Sequence, residues 1–106
     1  LATLDEAAAR VPIKPGEWAA HQVLFHACSV DEQAYGPRLR RILREDRPAL
    51  EEYDEVRWMT ERYVAAEPTR VILDRWRSVR EAYAAEMEAA PAGAWRAATS
   101  WPWPAT

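Results

Sequence analysis

The chain is short of several things, and each shortage closes off a class of protein. It holds a single cysteine, Cys28, which has no internal partner for a disulfide. A secreted, disulfide-stapled scaffold is therefore excluded, and a reducing cytoplasm is the expected compartment. No apolar run approaches the ~20 residues of a membrane span and no signal peptide is visible, so no membrane partner is expected. A basic excess is also missing: the net charge is -3 and the pI about 5.4. Arg38, Arg40, Arg41 and Arg44 are followed at once by Glu45 and Asp46. No sustained positive surface results, which argues against nucleic acid as partner. No stretch alternates as a strand would, and there is no internal repeat, low-complexity tract or dividing linker.

What is present suits one all-α domain over residues 1–106. Hydrophobic residues make up 49% and charged ones 29%, an ordinary balance for a globular chain. A chain this long buries roughly two thirds of its unfolded surface, enough for a modest core. It opens on Leu1, so part of the natural chain is expected to lie outside these residues.

Thr3-Leu-Asp-Glu6 reads as a capping box ahead of a short helix, Leu4–Arg10, which Pro12 stops. The first long helix runs from Trp18 to Leu43, with a kink or break expected at Gly36-Pro37, where proline removes a ladder bond. Asp54 caps a shorter helix bearing Val56, Met59 and Tyr63 on one side. Pro68–Ala90 forms the third long helix, and Ile72, Trp76, Val79, Tyr83, Met87 and Ala90 recur on it at three and four, the seam of a bundle helix. Pro91 to Trp95 ends it, and Trp101-Pro-Trp103-Pro trails without period. The expected fold is an up-down helical bundle of three major helices plus a short first one. Its apolar faces call for a fourth bundle helix, absent from these residues or supplied by a partner, with a homodimer as the simplest form.

Both histidines lie on the first long helix. His21 falls near Phe25 and Cys28 on the helical wheel, which favours packing or solvent contact. His26 shares a polar stripe with Gln22, Ser29 and Gln33 at the rim of an apolar face. Such an imidazole either fills space at the core edge or is held for a metal ion. Cys28 reads as apolar filler, with no cation along its own helix to favour a thiolate. Asp31 and Glu32 read as solvated carboxylates.

Trp18-Ala-Ala-His-Gln-Val-Leu-Phe-His26, followed by an acidic pair and Arg38-Leu-Arg-Arg-Ile-Leu43, resembles the first bundle helix of the DinB-like proteins, bacterial damage-inducible four-helix bundles. The likeness continues through Tyr53-Asp-Glu-Val-Arg-Trp58, the proline-led helix containing Arg80, and Pro91–Trp95. The resemblance implies a divalent metal (zinc, nickel or iron) held by three histidines, one on the first long helix and two in an His-x-x-x-His pair on the last. By position His26 matches the first ligand and His21 does not; the helix with the pair would lie beyond Thr106. Some relatives are transferases or isomerases using mycothiol or bacillithiol. The resemblance thus implies a metal-dependent thiol transferase, isomerase or hydrolase acting on a small molecule. Arg80 interrupts the apolar seam of the third long helix, which points to an inward-facing cation for the carboxylate of a low-molecular-weight thiol. The plainer reading of Arg80 lays its stem along the core edge. The alternative function is a non-catalytic bundle that works through self-association.

Overall fold

The computed structural model describes residues 5–99, with side chains through residue 96. Every regular element among them is helical: α1 (Glu6–Ala9), α2 (Ala20–Val30), a π-helical turn (Asp31–Tyr35), α3 (Gly36–Arg44), α4 (Glu55–Arg62), α5 (Thr69–Ala89) and α6 (Ala92–Thr99). The all-α class follows directly. The expected Thr3 cap and the Trp101-Pro-Trp103-Pro tail lie outside the described residues.

Residues 20–44 are helical throughout, so of the kink or break expected at Gly36-Pro37 the break does not occur. Pro37 cannot donate to the ladder, and its ring would strike the carbonyl one turn back. The chain answers by widening into a π turn just before the proline, the usual form of such an insertion. Gly36 then sits where α5 approaches closely. A Cβ there would lie 2.9 Å from the Asp31 carbonyl oxygen and 3.2 Å from the Tyr83 ring. Gly36→Ala is accordingly expected to cost about 1–3 kcal/mol in chemical denaturation; a neutral result would show that the close approach is absent.

The helical stretch 20–44 and α5 run parallel. Reading up the pair, His21 meets Glu67, Asp31 meets Trp76, and Arg40 meets Glu86. The return stroke is α4, antiparallel to α2, since Glu55 lies by His26 and Tyr63 by His21. The expected seam on α5 holds: Ile72 and Tyr83 are buried, and Trp76, Val79, Met87 and Ala90 half-buried. The core cluster is Phe25, Cys28 and Ile72, with Leu24, Trp58, Met59, Tyr63 and Trp76 packed around it. Beyond Pro91 the chain forms a further helix, α6, which packs on α3. Pro91 starts this helix as well as ending the last, its carbonyl accepting from Ala94 N–H at 2.9 Å.

α1 is capped by Asp5, whose Oδ1 accepts from Ala8 N–H at 3.0 Å. Glu6 does not turn back on its own helix. Its carboxylate accepts from the Thr69 N–H and hydroxyl, both at 3.0 Å, and so caps the start of α5. The Arg10 guanidinium completes the clasp, donating to Glu6, to Ala65 O at 2.6 Å and to Glu67 O at 2.8 Å. Arg10 first, with Thr69 adding to it, holds the Glu6 carboxyl below its usual 4.5. A lowered folded value means the contribution is whole above pH 4.5 and fades as pH falls through the folded value. Glu6→Gln should therefore flatten the acid limb of a stability-versus-pH curve; an unchanged limb would remove Glu6 from the clasp.

Candidate functional site

The two histidines, five residues apart on one helix, end in opposite environments. His21 is fully buried, at 0% exposure. Its Nδ1 lies 2.6 Å from the Tyr63 hydroxyl and its Nε2 2.7 Å from the Glu67 carbonyl oxygen. Burial pushes the Tyr63 phenol up, so the hydroxyl keeps its proton and donates to Nδ1. The Nε2 proton goes to Glu67 O, an oxygen that also accepts from Arg10. Both ring nitrogens are thus spent on joining α2 to Tyr63 at the end of α4 and to Glu67 just before α5. This is the packing alternative for His21, with no solvent contact.

His26 stands one turn further on, beside a pocket of about 510 Å³ between α2 and α4. Trp18, Gln22, Glu55, Val56, Met59, Thr60 and Tyr63 form the other walls. Local structure explains the placement. Gln22 Oε1 accepts from the Ala19 N–H at 2.8 Å and closes the first turn of α2. Trp18, just outside the helix, then folds back with its ring edge-on to the His26 imidazole, centroids 5.2 Å apart. The eight-residue Trp-to-His spacing noted in the sequence is the length of this return. Glu55, in the first turn of α4 after the Asp54 cap, brings Oε2 to 3.6 Å from His26 Nε2. His26 Nδ1 is buried and has no hydrogen-bond partner. An unpaired buried group of this kind costs about 1–3 kcal/mol and calls for a reason.

Glu55 is the member of this site that sequence reading did not single out. An acidic residue behind a helix cap is ordinary, and only the antiparallel return of α4 brings it to His26. Arg80 is not part of the site. Its side chain is 60% exposed, with Nε 3.7 Å from Asp31 Oδ2 and the guanidinium over the Trp76 ring. The inward-facing placement is therefore not found, because the chain's own Asp31 holds the cation at the surface. Asp31 in turn is buried rather than solvated, accepting from Trp76 Nε1 at 2.6 Å. It sits at the junction of α2 and the π turn.

Cys28 is fully buried, and burial pushes its thiol up against the opposing pull of Arg75. Arg75 comes from α5, a cation that inspection of the cysteine's own helix could not reveal. Three of the four arginines of α3 are engaged with carboxylates, Arg40 and Arg44 with Glu86 and Arg41 with Glu45 through two bonds, and Arg38 donates to the Glu51 carbonyl.

Among the described residues no group of three or more His, Cys, Asp or Glu side chains is placed to hold a metal ion. The orphaned His26 imidazole suits the role of one donor, and Glu55 that of a neighbour orienting it. A tight catalytic site needs about three protein donors, so the described set falls short of a site by itself. Comparison with protein-family models, curated proteins and solved structures finds no match to this chain. No described helix is long and apolar enough to cross a membrane.

Proposed function

We propose that the chain is a DinB-like helical bundle whose working face is the His26 pocket. There His26 serves as one ligand of a divalent metal in a thiol transferase, isomerase or hydrolase. The observation that carries this reading is the buried, unpartnered Nδ1 of His26 at the wall of a pocket, with a carboxylate beside the other ring nitrogen. The resemblance of Trp18–His26 to the family's first helix agrees with it. The remaining donors come from outside the described residues. When bound, the metal would supply a Lewis acid and a site for a thiolate. This chain's own part is to fix the imidazole: Trp18 confines the ring, and Glu55 accepts from Nε2–H as the pair closes.

The test is zinc affinity of the full-length natural protein by competition with a chromophoric chelator. His26→Ala is expected to weaken binding at least 100-fold, and Glu55→Gln, as the orienting partner, about 10–100-fold. Wild-type affinity retained in His26→Ala would remove the metal role.

A second reading, self-association without catalysis, has its own observation. Trp18, Val23 and Val56, on the α2–α4 face around the pocket, are 46%, 51% and 73% exposed. Apolar surface left in water is unfavourable by about 25 cal/mol per Å², so a second copy covering this face would gain stability. Sedimentation that finds a monomer at high concentration excludes the homodimer.

A further inference from the structure

We propose that α4 is a lid on the His26 pocket, able to lift from α2 while the pair of long helices stays folded. The lid's purpose rests on the reading of the His26 pocket given above; the motion itself does not.

Several observations converge on this one helix. No residue of α4 is buried, whereas α2, α3 and α5 each bury residues. Three buried side-chain atoms without a hydrogen-bond partner belong to α4 or its seam: His26 Nδ1, Tyr53 OH and Trp58 Nε1. His26 faces α4 through Glu55, Trp58 is on α4, and Tyr53 lies just before it with its ring 6.1 Å from that of Trp58. A buried group that lacks a partner favours any state in which it reaches water. Closing α4 leaves these groups dry, and lifting it hydrates them.

The chain on either side of α4 is tied down. Before it, Arg41 donates to Ala49 O at 2.7 Å and Arg38 to Glu51 O at 3.2 Å. After it, the Tyr63 hydroxyl is bound to His21 at 2.6 Å. The helix therefore has fixed ends and a weakly held middle, and the pocket is the space it closes. The middle rests on the core through Trp58 and Met59, which pack against the cluster containing Cys28.

The α4 amides read the motion directly. Hydrogen exchange by mass spectrometry on the whole protein should show residues 55–62 exchanging at least about tenfold faster than the middle of α5, by an opening insensitive to low denaturant. Tyr53→Phe removes one unpaired hydroxyl without touching the pocket wall, and should slow that exchange about tenfold. The proposal is overturned if α4 and α5 exchange through one common opening. It is equally overturned if Tyr53→Phe leaves the α4 rate unchanged. No metal enters these measurements, so a negative zinc assay leaves their outcome intact.

Discussion

Ile72→Ala is expected to lower the unfolding free energy by roughly 3–4 kcal/mol, the larger part of the range for core truncations. Ile72 has 0% exposure and joins Phe25 and Cys28 at the centre of the cluster. Removing its outer carbons loses their transfer energy and leaves a void between α2 and α5. Neither helix can close that void easily, because the pair is pinned at both ends: Glu6 and Arg10 clasp the start of α5, and Glu86 bridges to Arg40 near its end. The adjacent Val71 is 46% exposed, and Val71→Ala should stay within about 0.5 kcal/mol. Equal losses at the two positions in urea unfolding would mean that α5 presents a different face to α2.

His21→Ala is expected to cost about 3 kcal/mol or more. Truncating a buried ring contributes a cavity, and the Tyr63 hydroxyl is left buried without its partner. Glu67 O keeps the Arg10 guanidinium at 2.8 Å, so that side of the network is only weakened. Tyr63→Phe alone should cost about 1 kcal/mol. Because the two residues share one bond, the double variant should be less destabilised than the sum by about 1 kcal/mol. Strict additivity would show that the 2.6 Å contact contributes nothing to stability.

How far this was legible in the sequence depends on the range of the interaction concerned. The long helices could be read because their signals are local: an apolar seam at three and four from Ile72 to Ala90, the Asp54 cap, and Pro68 ahead of α5. The π turn was invisible, since proline predicts only a fault and not how the backbone resolves it. Helix α6 was missed because Pro91 was read solely as a stop. Asp31 reads as solvated on its own helix, because the partners that bury it, Trp76 and Arg80, arrive from α5. Glu6 and Thr69 are far apart in sequence, and nothing local to the Thr3-x-x-Glu6 pattern distinguishes a cap on its own helix from one on another. At the site, the Trp18-to-His26 spacing did carry a contact. Its carboxylate neighbour depends on the path of residues 45–54, which no periodicity encodes. Arg80 shows the converse: a cation interrupting an apolar seam looked inward on the wheel, but a buried aspartate holds it at the edge.

The division of labour between the two histidines is the central claim, and imidazole nitrogen NMR tests it most directly. Zinc should be titrated into the ¹⁵N-labelled protein while both rings are followed. The ring nitrogens of His26 should shift as metal is added, and those of His21, already committed to Tyr63 and Glu67, should not move. A response at His21, or none at His26, would contradict the account.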